Sequence, residues 1–492
     1  MKDKSLLKYL LIGWIIINLV QGLFTELLHD EAYYWVWSRT LDWGYFDHPP
    51  MVAWIIAPGY WLFSNELGVR LCITLLSTAS IWLIWKTING QNLKLFCAIV
   101  FGAVIIHVGG FIAVPDIPLL FFCFLFFYLF KQYLEKDSLL IALGITLSVV
   151  GMAYSKYTGV LIVLFAMLPN LKLLKRGTFW MIPTVTILCL IPHFQWQIAH
   201  EFPTFRYQLL DRSKVPYKIA FFVNYVLGQF LIYGPLVSFI LFPAAYKAKV
   251  NNTFDKTMKW SLYGVFAFFL VQSLRGRIEP NWTVIATLPL FYLSYNYLAT
   301  DKKWRQIVYK LFKITVPLIL VFRVFLMWDF LPKNLNIKTE FHGWNEWADE
   351  LVEASDGLPV IFHNTFQHPS KYMFYSGNFA HAANYANYAG KQYDLMVDVE
   401  EKLQGKSVFR LHDGKGAKDT IELGIHQKKR YEIVSDFRYY NRIKIKTEKE
   451  KYAVPLDTIL SIPIEITNIS GNDVVIDSND IKSISIDYCL FW

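Results

Sequence analysis

Four groups of charged residues stand where an apolar chain has little reason to carry them. Asp30 and Glu31 follow directly on the hydrophobic run 6–28, and Asp116 sits between two prolines in "AVPDIPLLFF". Lys156 stands in "MAYSKYTGVL", and cations recur in "HEFPTFRYQLLDRSK" (Arg206, Arg212, Lys214) and "SLRGRIEPNW" (Arg275, Arg277). Together these types suit one kind of chemistry. A carboxylate within hydrogen-bond reach of a hydroxyl can take its proton. Cations hold a departing phosphate, Arg with a planar fork of donors and Lys as a point charge.

Each group also has a plainer reading. Asp30 and Glu31 open a helix whose Tyr33, Tyr34, Trp35 and Trp37 suit a membrane interface, where acids in the first turn are favourable by themselves. Asp116 could cap the helix that follows it, Lys156 could snorkel to an interface, and the arginines could be solvated loop residues.

The elements that must position these residues are membrane helices. Of 492 residues, 54% are hydrophobic and only 18% charged, and the mean hydropathy is +0.32. Apolar stretches of about 18 or more residues are long enough to cross a bilayer core of roughly 30 Å. Eleven crossings, some of them shorter than this, are expected at 6–27, 67–88, 95–113, 117–130, 139–154, 158–171, 179–195, 218–245, 259–274, 282–299 and 308–330. No small-residue cleavage site follows the first, so it reads as a retained anchor and not a signal peptide.

The basic residues cluster in alternate short connections, from Lys2, Lys4 and Lys8 through Lys172, Lys175 and Arg176 to Lys302, Lys303 and Arg305. The positive-inside rule makes those connections cytoplasmic. The acid-rich loop after the first span, and the polar stretch 331–492, then lie outside. Topology thus accounts for the net charge of +9, and nucleic acid is not expected as a partner. Four of the five cysteines lie in apolar runs, with Cys489 in the polar tail, so neither a disulfide framework nor a metal-type CxxC is present.

Beyond 331 the pattern turns to a soluble α/β or α+β domain. A helix is expected around 344–354, buried strands at "PVIFH" and "KSVFRL", and alternating strands at "ILSIPIEITN" and "IKSISIDY".

The order of these elements resembles family 39 of the membrane glycosyltransferases with the C-type fold, which includes protein O-mannosyltransferases and bacterial aminoarabinose transferases of lipid A. The resemblance rests on Asp30-Glu31 after the first span, "YFDHPP", "PDIPLLFF", "SKYTG", "WQIAHEFPTFRYQ" and "RIEPNW", and it covers about the first 330 residues. The sequence departs from the aminoarabinose-transferase pattern at His48, where that pattern has a lysine before the Pro-Pro pair. It shows nothing of the sugar-binding trefoil insert of the eukaryotic mannosyltransferases.

The resemblance implies a polytopic C-type fold over 1–330, an extracytoplasmic domain over 331–492, and a bacterial plasma membrane. It makes Asp30 the catalytic carboxylate with Glu31 beside it, Asp116 the second functional acid, and Lys156 the contact to a lipid phosphate. Arg206, Arg275 and Arg277 are further phosphate-binding candidates on chemistry alone. It also implies a divalent cation between Asp47 and His200. The expected activity is an inverting transfer of a sugar from a polyprenyl-phosphate donor to a hydroxyl of a lipid, glycan or protein. No nucleotide cofactor is expected, since the sequence holds no Gly-rich phosphate loop. The competing reading is a lipid or solute transporter or flippase, which predicts charges near mid-span and symmetry between the halves of the chain.

Overall fold

The computed structural model describes residues 2–208, 217–331, 341–384, 390–396, 398–412, 419–424, 428–438, 443–448 and 461–468. Arg212, Lys214, Cys489 and the expected strand in "IKSISIDY" lie outside the described residues. The chain forms two compact units, Met1–Asn345 and Glu346–Trp492.

The first unit is helical. Helix α1 (Lys2–Phe24) leads into a short α2 (His29–Ser38), an irregular loop, and an apolar α3 (Met51–Leu62) that folds back on α4 (Glu66–Ile88). The α3 segment was not foreseen as a helix. Asn65 stops the chain in extended conformation and accepts a hydrogen bond from Gly68 N, which starts α4 as an N-cap. After α5 (Leu93–Val100) and α6 (Val104–Val108) come α7 (Asp116–Glu135) and α8 (Leu139–Ser155), an antiparallel hairpin joined by three residues. Helix α9 (Val160–Met167) lies between two 3₁₀ turns. The helices α10 (Gly177–Ala199), α11 (Pro203–Arg206), α12 (Ile219–Ile232), α13 (Ser238–Lys247), α14 (Thr253–Ser273), α15 (Thr287–Thr300) and α16 (Lys302–Met327) complete the unit.

By length and composition, five continuous stretches of the described residues can cross a membrane: Ser5–Phe24, Glu66–Ile88, Asp116–Glu135, Tyr157–Lys175 and Gly177–Ala199. The protein is thus a multi-pass membrane protein, but eleven uninterrupted crossings are not what is observed. The expected span 95–113 is broken between α5 and α6, and 218–245 is two helices. Gly234 makes the second break possible. It adopts φ +105°, and a Cβ there would stand 2.2 Å from the carbonyl oxygen of Gly102, at the first break. The two interruptions therefore lie against each other, where protein rather than lipid surrounds the irregular backbone. Large apolar side chains on α8, α10, α12 and α16, among them Leu140, Ile187, Leu227 and Val321, are left exposed as a lipid-facing surface requires.

The second unit begins within α17 (Trp344–Ser355). Its strands β1 (Val360–His363), β2 (Ala380–Ala383), β3 (Val408–His412), β4 (Asp419–Glu422) and β5 (Lys428–Val434) form one sheet in the order β2-β1-β3-β5-β4. Strand β1 runs parallel to both β2 and β3, while β5 is antiparallel to β3 and β4. Helix α18 (Gln367–Ser376) connects β1 to β2, and the short α19 (Val399–Leu403) precedes β3. A separate antiparallel ribbon pairs β6 (Ile443–Thr447) with β7 (Ile464–Asn468). "PVIFH" and "KSVFRL" are buried strands, as their unbroken apolar character predicts.

Candidate active site

Adjacent residues on a helix point about 100° apart, so Asp30 and Glu31 cannot share one environment. Glu31 faces inward. It is fully buried, and Oε1 accepts from Arg70 Nε at 2.8 Å and from the Ala113 backbone N–H at 2.8 Å. Oε2 accepts from Arg70 Nη2 at 2.5 Å and from the Leu28 N–H at 3.0 Å, the latter closing the first turn of α2. Arg70, equally buried on α4, also donates to the carbonyls of Gly22, Thr25 and Glu26 at the end of α1. This pair joins α1, α2, α4 and the segment before α7. Four donors thus meet the two oxygens of Glu31 and bond it into the scaffold, so the structure does not bring it together with Asp30. Asp30, by contrast, is exposed on the first turn of α2.

Four residues on from Asp30, Tyr34 is buried, edge-on to Trp37 and His48. Burial, and then the charges of Asp30, Asp47 and Asp116, push its phenol well above the usual range. Three carboxylates from three separate segments thus act electrostatically on one tyrosine.

Asp116 is the first residue of α7, yet its carboxylate makes no capping bond. Oδ1 accepts from Lys156 Nζ at 2.8 Å, and Oδ2 accepts from Asn281 Nδ2 at 3.0 Å. The pair is nearly buried, with side chains 8% and 10% exposed. Lys156 reaches it because the helix stops: its backbone is extended, at φ −164° and ψ 135°, between α8 and the 3₁₀ turn Tyr157–Gly159. Neither the capping reading of Asp116 nor the snorkelling reading of Lys156 describes this geometry. The motifs "PDIPLLFF", "SKYTG" and "RIEPNW" meet at one ion pair, to which Asn281 is a contributor that the sequence did not single out.

The remaining motifs fix the loop that carries Asp47. Trp196 Nε1 donates to Asp42 Oδ2 at 2.8 Å, Thr204 Oγ1 to the Tyr45 carbonyl at 2.9 Å, and Gln208 Nε2 to the Asp47 carbonyl at 3.1 Å. His193 Nδ1 bonds the Trp43 carbonyl, and its Nε2 bonds the hydroxyl of Tyr157, next to Lys156. At Gly44 a Cβ would lie 2.3 Å from the Trp196 ring, so only glycine admits this approach. "YFDHPP" and "WQIAHEFPTFRYQ" are therefore two sides of one clamp.

Other expected ligands are not gathered here. Arg206 lies 3.6 Å from Glu201 and Arg277 lies 2.9 Å from Glu279, all four largely or partly exposed, and Arg275 is exposed as well. None of the three hydrogen-bonds Asp116. An exposed arginine gains little from any one partner, and these have taken nearby acids or solvent. His200 spends Nδ1 on the Trp196 carbonyl and stacks on that indole at 4.3 Å. Among the described residues no three of His, Cys, Asp and Glu converge as a metal-ligand set, and no step is assigned to a divalent cation.

Comparison with known proteins gives three matches. Residues 47–196, which include Asp116 and Lys156, match the family described as dolichyl-phosphate-mannose-protein mannosyltransferase. The chain is 26% identical over 283 residues to the lipid A galacturonosyltransferase RgtD of Rhizobium johnstonii, an alignment spanning 53% of this chain and 58% of that protein. The structure is similar to ArnT from Cupriavidus metallidurans in the apo state, with a TM-score of 0.63 at 14% identity, covering 82% of this chain and 92% of ArnT. Against ArnT bound to undecaprenyl phosphate the coverage is the same and the TM-score is 0.58. The resemblance to glycosyltransferase family 39 read from the motifs is shared by these matches, and the fold is similar to that of ArnT.

Proposed function

We propose that the protein transfers a sugar from a polyprenyl-phosphate donor to a hydroxyl group of a lipid acceptor at the outer face of a bacterial plasma membrane. The observation that carries this reading is the nearly buried ion pair of Asp116 and Lys156, with Asn281 on the same carboxylate, at which three separate segments of the chain meet. The likeness to a protein named for action on lipid A, and to one bound to undecaprenyl phosphate, supports a lipid on both sides of the reaction.

The roles follow from exposure and saturation. Glu31 and Asp116 have their oxygens engaged by Arg70, Lys156 and Asn281, and the exposed Asp30 is assigned as the base. Asp30 takes the acceptor's hydroxyl proton as that oxygen attacks the anomeric carbon. The bond from that carbon to the phosphate oxygen breaks, and the polyprenyl phosphate departs as an anion. One displacement inverts the configuration. Lys156 has three donors, and Asp116 engages one. Two protons of the ammonium are then available to phosphate oxygens, with Asp116 holding the group in place. Electrostatic stabilisation of the leaving anion replaces a general acid.

An apolar cavity lined by Phe126, Phe130, Ile145, Val149, Val163 and Ile182 lies between α7, α8, α9 and α10. At 1.5 Å of rise per residue along α7 it is about 15–20 Å from Asp116, within reach of a long isoprenoid tail.

The test is reconstitution in liposomes with a panel of polyprenyl-phosphate sugars and lipid, glycan and protein acceptors. Transfer to a lipid acceptor, abolished in Lys156→Ala, is the expected result. Undiminished transfer by Lys156→Ala, or transfer only to a protein or free glycan, would overturn the assignment.

A further inference from the structure

The second unit holds a group of cationic and aromatic side chains that the transfer reaction does not use. Strand β1 lies between β2 and β3 and is parallel to both. The chain leaves β1 toward one side of the sheet and, after β2, returns on the other. Such a reversal opens a crevice beyond the carboxyl ends of the strands, the general location of ligands in sheets of this kind.

The residues at those ends are histidines. His363 ends β1 and His412 ends β3, with their rings stacked at 5.7 Å. A narrow cleft opens beside them, lined by Trp347, His363, Thr365, His368 and Lys429 among others. Trp347, Phe362 and His368 stand against one another at centroid distances of 5.9–6.2 Å and form an aromatic wall. His368 lies in the first turn of α18, so the positive end of that ten-residue helix adds to the imidazoles and the ammonium.

Glu432, on the neighbouring strand β5, is already committed. Glu432 accepts from His412 Nε2 at 2.8 Å and from Arg410 Nε at 2.7 Å. Partial burial would raise its carboxyl, yet these donors hold it below the usual range. A metal is not the natural occupant, because a lysine shares the cleft and no three ligating side chains converge among the described residues. The cleft is too narrow for a sugar ring and suits a group of a few atoms.

We propose that this cleft binds a phosphate-type oxyanion, held by His363, Thr365, His368 and Lys429. The same chemistry would come from free phosphate or from a phosphomonoester on a lipid headgroup.

Equilibrium dialysis of the full-length protein in zwitterionic nanodiscs, first with inorganic phosphate and then with water-soluble dibutyryl phosphatidic acid, tests this. The readout is binding, so it does not depend on the transferase reading. The wild type is expected to bind at least one probe, with affinity reduced tenfold or more in both Lys429→Gln and His368→Gln. Tighter binding of the phosphatidic acid identifies a lipid headgroup as the source; equal binding identifies the phosphate group alone. A thermal melt unchanged from wild type establishes that each variant is folded, and Lys429→Arg is expected to restore affinity. Binding of neither probe, or binding that both variants retain, would overturn the proposal.

Discussion

The first unit contains two buried acid–base pairs that differ in how completely they are bonded. At Glu31–Arg70 both side chains are fully buried, and four donors meet the carboxylate while the guanidinium also serves three backbone carbonyls. At Asp116–Lys156 the pair keeps slight exposure, the carboxylate has two partners, and the ammonium donates to one. A saturated pair resists exchange, since any new ligand must displace a bond already made. An unsaturated one can take a ligand without breaking. The first is a joint in the scaffold, and the second is where an anion can enter.

The comparison predicts unequal responses to mutation. Removing one partner of a buried, fully bonded pair leaves a charge without compensation, at about 3–5 kcal/mol. Arg70→Met should therefore lower yield and thermal stability sharply, and Arg70→Lys should recover little, because an ammonium cannot reproduce the fork. A stable, monodisperse Arg70→Met protein would break the comparison. Lys156→Met should melt nearer the wild type, at a cost of about 1–3 kcal/mol, and fail chiefly in turnover and donor affinity. Equal stability losses at Arg70 and Lys156 would erase the distinction.

A smaller effect, in the other unit, sharpens the contrast between pairing and burial. Burial, and then the nearby charge of Lys391, lower the pKa of His381 to about 3. The unfolded chain takes up this proton near pH 6.5, whereas the folded unit does so only near 3. The contribution of neutral His381 is thus complete above about pH 6.5 and declines as the pH falls toward 3. Local unfolding of the second unit, followed by amide hydrogen exchange, should rise over that interval, and His381→Phe should flatten the dependence. An unchanged slope in His381→Phe would assign it to other groups.

These distinctions were only partly legible in the sequence. Apolar run length located α1, α4, α7, α8 and α10, and the residues violating that pattern led to Asp116 and Lys156. Their partnership was not legible, because 40 residues separate them and the break after α8 sets the approach. Arg70 and Asn281 were missed for the same reason: one lies inside an apolar span and the other is a neutral residue in "RIEPNW" that Arg275 and Arg277 overshadow, and packing alone gives them partners. The difference between Asp30 and Glu31 depends on which way α2 is rotated, which adjacent acids do not encode. Gly234 and Gly102 interrupt runs that hydropathy reads as continuous. In the second unit, the buried strands were readable from composition, but the crevice depends on strand order.

The most direct measurement is the turnover of Asp30→Asn in liposomes, taken together with its affinity for polyprenyl phosphate. Asp30 is placed here as the proton acceptor and Lys156 as the phosphate contact. The substitution should therefore leave carrier binding near wild type while reducing transfer by about 10²–10⁴-fold. Transfer at the wild-type rate by a folded Asp30→Asn protein would contradict the account.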